Sequence, residues 1–394
     1  MRLKLTRITD GKKIIPELEG LRFISILLVI LSHISNNVLH VYTSNHQLAG
    51  ENRLAIFLEE CGAGIDIFFF ISGFILAIPF LKAYVYNRQK ISLKHYYYRR
   101  LTRIEPPYII TLVLFLLAVL FILRQPFLYA MQHFIASLFY MHNSIYNHIS
   151  TINPVAWTLE IEVQYYVIFP LIAITLFFKN NFLRRLSLLA LFLLTSIFHP
   201  EKVSLFNQDY YLTKSLFAYW YIFIIGIIVA DLYLKSKNFL SGNKYILFDL
   251  LGLVSLFYII TLSGFQSLSY KLFIFICYAL LFVSIFKGRF LNKIFTNKWI
   301  TIIGGMCYSI YLVHYAVTFF MMQSFTKNFF AYNYTADALI QSVIIIPFIL
   351  IASVIFFVLL ERPFMDIKWP QKMKRSFQKF YTRFFLSSKI QNTD

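Results

Sequence analysis

The chain has 394 residues, of which 59% are hydrophobic and 14% charged, with a mean hydropathy of +0.65. A soluble globular protein carries about 25% charged residues, so this composition excludes a water-soluble fold and specifies a protein of the lipid bilayer. The formal net charge of +19 belongs to basic loops beside membrane spans; no RNA- or DNA-binding motif accompanies it, and no nucleic acid partner is expected.

The N-terminal "MRLKLTRITDGKKIIPELEG" is basic like the start of a signal peptide. The apolar run behind it lacks a small-residue cleavage site and continues into His33, so the first span, near 19–38, is expected to stay in the protein. Arg22 and His33 lie eleven residues apart on that span. Eleven helical steps come to about 1100°, some 20° past three turns, so both side chains share one face roughly 16 Å apart. The second span, near 64–84, opens with Asp66 and contains Ser72 and Gly73. Arg99, Arg100 and Arg103 precede the third, near 107–123. Arg100 and Arg103, three apart, share a helix face, and paired guanidiniums suit a phosphate-bearing ligand.

The segment 127–142 is amphipathic and reads as surface-lying or re-entrant. Trp157, Glu160 and Glu162 introduce the fourth span, near 162–178. Spans near 185–199, 214–234, 245–263, 269–286, 299–322 and 338–360 follow, the ninth carrying His314, to make ten. With the N-terminus inside, 31 of the 37 Lys and Arg residues fall on inner segments. Only Arg53, Arg124, Lys202, Lys214, Lys271 and Lys327 remain for the outer loops. This alternation predicts an all-α, polytopic protein with both termini cytoplasmic: a tail (1–18), a membrane domain (19–364) and a basic tail (365–394).

His33, Asp66, Glu160, Glu162 and His314 come from four helices and share the outer half of the bilayer. Ionisable groups there cost about 2.5 to 3.5 kcal/mol each on insertion scales and default to a functional reading. Each alone has a structural reading as well: a helix-to-helix hydrogen bond for either histidine, a cap for Asp66, a solvated entrance for Glu160. Their convergence weighs toward a site. Cys61, Cys277 and Cys307 sit in or beside separate apolar segments, so neither a disulfide framework nor a metal is expected. On the inner side, Arg22, Arg100 and Arg103 form a cationic mouth suited to an anionic cytoplasmic donor.

Six stretches, "ELEGLRFISILLVILSHI", "GAGIDIFFFISGFIL", "YYRRLTRIEPPY", "NPVAWTLEIEVQYYVIFPL", "CYSIYLVHYAV" and "LLERPF", resemble in order the acyltransferase 3 family of integral-membrane O-acyltransferases, over residues 17–364. The resemblance implies a ten-helix inner-membrane enzyme of the bacterial envelope. It would take an acyl group, usually acetyl, from cytoplasmic acyl-CoA and deliver it to a hydroxyl of an extracytoplasmic polysaccharide, a lipopolysaccharide or a lipid-linked glycan. It maps the family's essential histidine to His33 and its partner arginine to Arg22. Arg100 and Arg103 become the coenzyme-binding pair, and Trp157, Thr158, Leu159 and Glu162 the fourth-helix motif. "FFFISGF" departs from the family's usual Phe-Phe-Val form, and Tyr315 stands where many members have Trp; neither touches a proposed chemical group. Some members continue into an esterase-like domain, which is not expected here.

The expected chemistry uses His33 as general base, oriented by Glu162 or Asp66, with Arg22, Arg100 and Arg103 on the phosphates or pantetheine of acetyl-CoA. An acyl-histidine relay is the less simple variant. Ser72 and Gly73 serve close approach to the acyl chain or tight helix packing. Two other classes fit the composition: a transporter, which predicts broken helices and a repeated half, and a structural partner of a glycan-synthesis complex.

Overall fold

Backbone amides in a bilayer core have no water to bond, so the chain satisfies them within helices. The computed structural model describes residues 5–8, 14–44, 53–87, 91–197, 202–205, 208–211, 214–262, 264–265, 267–325, 333–366 and 368–381. The first half holds α1 (Pro16–Ser44), α2 (Arg53–Glu60), α3 (Gly64–Tyr84), α4 (Leu93–Phe121), α5 (Phe127–Leu138), α6 (His142–Tyr146), α7 (Trp157–Leu176) and α8 (Asn181–Ile197). A small antiparallel hairpin follows, β1 (Lys202–Leu205) and β2 (Gln208–Tyr211), in a loop too polar for the bilayer and unforeseen in an all-α reading. Then come α9 (Leu216–Lys235), α10 (Lys237–Leu240), α11 (Ile246–Leu262), α12 (Leu268–Lys287), α13 (Arg289–Phe295), α14 (Lys298–Gly305), α15 (Cys307–Phe320), α16 (Tyr334–Phe356), α17 (Arg362–Phe364) and α18 (Trp369–Tyr381). Lys327 and residues 382–394 lie outside the described residues.

Among the described residues seven helical segments are long and apolar enough to cross a membrane, or eight if α14 and α15 count as one. The predicted spans near 185–199 and 245–263 form α8 and α11, of 17 residues each; each is about 25 Å long. The ninth predicted span is not one straight helix. Its two parts meet at 72° around Met306, because α14 is drawn onto α1: a Cβ on Gly304 would lie 1.8 Å from the Glu19 carbonyl oxygen. The start of α15 is then held by Glu361, whose Oε2 accepts from the Ser309 amide at 3.0 Å and the Ser309 hydroxyl at 2.5 Å.

Prolines explain the other shifted boundary. The third span was expected to begin at the proline pair, yet α4 starts at Leu93 and runs through Pro106 and Pro107. Pro106 has no amide to offer the Thr102 carbonyl, and the indole Nε1 of Trp369 donates to that carbonyl instead, at 2.9 Å. In α7, Pro170 frees the Tyr166 carbonyl, which accepts from the Tyr96 hydroxyl at 3.0 Å. These side-chain bonds make the prolines tolerable and tie α4 to α7 and to the C-terminal segment.

Helices α3 and α9 also pack backbone to backbone. A Cβ on Gly73 would lie 2.2 Å from the Phe223 carbonyl oxygen, and one on Gly226 2.3 Å from that of Phe70. Of the two readings of Gly73, backbone packing is the one its surroundings support. Gly73→Val is expected to destabilise the fold by roughly 1–3 kcal/mol or more, visible as a lower midpoint in a thermal aggregation assay; an unchanged midpoint would contradict backbone contact. Arg184, wholly buried in α8, bonds Asp231 of α9 through Nε at 2.9 Å and Nη2 at 2.7 Å, and Arg185 reaches the other Asp231 oxygen at 3.0 Å. Exposed Phe121, Phe182, Val343 and Leu359 form part of the apolar exterior expected against lipid.

Candidate active site

A cavity of about 1330 Å³ passes through the bundle. Its wall includes Lys214 and Lys237, which flank opposite ends of α9; twenty residues of helix separate them by about 30 Å. The wall also carries Arg22 and His33 of α1, Ser72, Arg100, Arg103, Trp157 and Glu162. Asp66, Gly73 and His314 do not line it.

The basic end is organised by shared carboxylates. Glu19 accepts from Arg22 at 2.7 Å and from Arg7 at 2.8 and 3.1 Å. Arg7 arrives from the segment preceding α1. Burial, reinforced by the nearby Arg103 charge, pushes its guanidinium down to about 10, so it remains cationic at neutral pH. Arg103 stands 3.9 Å from Glu361. Arg100 packs over the Tyr96 ring, 3.8 Å from its centre, and lies 5.3 Å from that of Tyr166. Lys244 and Lys237 complete the rim.

Glu162 belongs to this network. It accepts from the Ser72 hydroxyl at 2.5 Å and from the hydroxyl of Tyr166, whose ring Arg100 faces. Asp66 is buried and does not line the wall. Among the described residues no hydrogen bond joins either carboxylate to His33, the two sequence alternatives for orienting it. The rings against His33 are His314, 5.2 Å between centres, and Tyr315, 5.4 Å and edge-on.

Toward the far end, Trp157 lies 5.5 Å below the Lys214 ammonium and packs on Tyr219. Glu160 is buried and accepts from the Asn143 amide at 3.0 Å, holding the α6 loop rather than the cavity. Sequence reasoning missed Arg7, Glu19 and Tyr166. Arg7 had no helical periodicity to place it, and Glu19 lies three residues from Arg22 and Tyr166 four from Glu162, spacings that the sequence shows.

Beside the α6 loop, His133 Nδ1 and His142 Nε2 are hydrogen-bonded at 2.7 Å, with His148 packed on both rings. Among the described residues no three His, Cys, Asp or Glu side chains are placed to hold a metal ion. Burial, and then the neighbouring His133 and His148, push His142 down to about 4. The unfolded imidazole titrates near 6.5, so the neutral form stabilises the fold above that pH, and stability falls as pH drops toward 4. Acidification from pH 7 to 5 is expected to cost about 2 kcal/mol locally, read as faster amide exchange in α5 and α6 that His142→Asn abolishes. Exchange that stays flat with pH in the wild type would contradict this.

The family described as "Acyltransferase domain", acyltransferase 3, matches residues 15–362. Two relatives from Staphylococcus aureus are similar. "Putative O-acetyltransferase SACOL0978" of strain COL is 28% identical over 341 residues, covering 78% of this chain and 51% of that protein. "O-acetyltransferase OatA" of strain NCTC 8325 / PS 47 is 25% identical over 337 residues, covering 80% and 52%. The chain thus spans about half the length of the curated relatives it matches. No solved structure matches. With a family match over nearly all the helices that build the cavity, the chain belongs to the acyltransferase 3 family.

Proposed function

We infer that the protein is a membrane O-acetyltransferase that takes acetyl from cytoplasmic acetyl-CoA and delivers it to a hydroxyl of a surface or lipid-linked glycan. The observation that carries this is the single cavity joining a ring of guanidiniums to His33 on one helix face. In this reading α8 and α11 complete ten spans in the inner membrane, both termini are cytoplasmic, and the basic end opens to the cytoplasm.

The coenzyme phosphates exchange with Glu19 for Arg7 and Arg22 and with Glu361 for Arg103, and Arg100 adds a further guanidinium, since phosphate competes well for bidentate guanidiniums. The pantetheine arm then rises along α1 toward His33. A sugar ring stacks on Trp157 and offers its hydroxyl from the other end. His33 takes the hydroxyl proton as oxygen attacks the thioester carbonyl. The new C–O bond forms, the C–S bond breaks, and the imidazolium returns the proton to the departing thiolate, so no other reactant is needed. The broken α14–α15 span is a feature transporters share, but Glu361 holds its freed helix start, which favours a fixed break over a moving gate.

The test is an envelope-acetate assay on cells expressing the wild type or Arg100→Ala, with increasing donor supply. Arg100→Ala is expected to raise the apparent KM for acetyl-CoA by roughly tenfold, the weight of one charge-assisted contact, with kcat changed less. Glycan lacking the acetyl mass increment in wild-type cells would sink the reading.

A further inference from the structure

His314 is wholly buried on α15, and its Nδ1 lies 3.1 Å from the Ile310 carbonyl oxygen and 2.8 Å from that of Tyr311. Carbonyls only accept, so Nδ1 carries the proton and the neutral ring presents Nε2 as a bare lone pair. That Nε2 is buried with no hydrogen-bond partner. The neighbouring ring is His33, its centre 5.2 Å away and its plane tilted by 45°. His33 lines the cavity while His314 does not, so His314 stands behind it.

The molecule contains its own reference for such a pair. His133 and His142, hydrogen-bonded at 2.7 Å, have ring centres 4.9 Å apart and tilted by 36°. The rings of His33 and His314 are 0.3 Å farther apart and tilted by 9° more. Neither carboxylate is hydrogen-bonded to His33 among the described residues: Glu162 is engaged by Ser72 and Tyr166, and the rings against His33 are those of His314 and Tyr315. Thr318, one turn along α15, has its own hydroxyl buried without a partner and is not bonded to the ring.

We propose that His314 is the positioning residue for His33: its Nε2 accepts the hydrogen of the nearer His33 ring nitrogen and fixes the tautomer whose other nitrogen keeps a free lone pair toward the cavity. A neutral imidazole here does what a carboxylate does in a hydrolase triad, without an anion in the bilayer. The role in catalysis rests on the acetyl-transfer reading; the link between the two rings does not.

The experiment uses the full chain, labelled with ring-15N histidine in lipid nanodiscs, as wild type, His314→Gln and His314→Leu, with His33→Ala to assign the His33 signals. Envelope-bound acetate is measured in cells expressing the same four forms at matched membrane level. His33 is expected to show one tautomer in the wild type and in His314→Gln, whose amide oxygen also accepts, and a mixture in His314→Leu. Acetate is expected to fall on the order of tenfold or more in His314→Leu and much less in His314→Gln. A His33 tautomer mixture in the wild type, a tautomer unmoved by His314→Leu, or equal acetate losses in the Gln and Leu variants would each overturn the proposal. Acetate unchanged by His33→Ala would instead sink the transfer reading, while the tautomer comparison still decides whether His314 sets His33.

Discussion

His33→Ala is expected to lower acetyl transfer by roughly a thousandfold, the middle of the range for losing a general base, with the protein still folded in the membrane. His33 is half-buried, and the described contacts of its ring are packing against His314 and Tyr315, so removing the imidazole widens the cavity without stranding a charge. Base-labile acetate on the cell envelope, normalised to membrane protein, reads the effect. Acetate at the wild-type level would remove His33 from the chemistry; loss of the protein itself would make the histidine a packing residue.

Asp231→Ala should produce the largest loss of stability. The carboxylate holds Arg184, which has no solvent exposure, and half-exposed Arg185. Removing one partner of a buried pair typically costs about 3–5 kcal/mol, because the remaining charge stays desolvated. The Phe178 carbonyl, 2.7 Å from Arg184, and Asn181 cannot replace the lost charge. Thermal unfolding of the detergent-solubilised protein is expected to show a strongly lowered midpoint. Arg184→Leu combined with Asp231→Leu should recover most of it, since an apolar pair leaves no buried charge. A single variant as stable as the wild type would show that water reaches this site.

The Arg22–His33 face of α1 was legible in the sequence because helical geometry is local: eleven residues at 100° can be placed with no knowledge of the rest. Arg100 with Arg103 and the fourth-helix motif were legible for the same reason, each being a spacing on one element. The boundary of α4 was not, because the proline pair argues for a break; only Trp369, more than 260 residues away, relieves it. The bend at Met306 had no sequence signal beyond a glycine pair, and its cause is the approach of Gly304 to Glu19 on another helix.

Apolar content, basic-loop alternation and motif order thus determined by themselves that this is a multi-span membrane protein of a recognisable family, since bilayer thickness and charge cost act on each segment separately. Which polar groups meet was decided only by tertiary packing. Glu162 bonded Ser72 and Tyr166 on the cavity wall, Asp66 was buried off that wall, and His314 came to lie behind His33. Spacing along a chain limits the face on which a side chain lies, but its neighbour across an interface depends on helix rotation and close approach, which glycines such as Gly73 and Gly226 set from elsewhere in the fold.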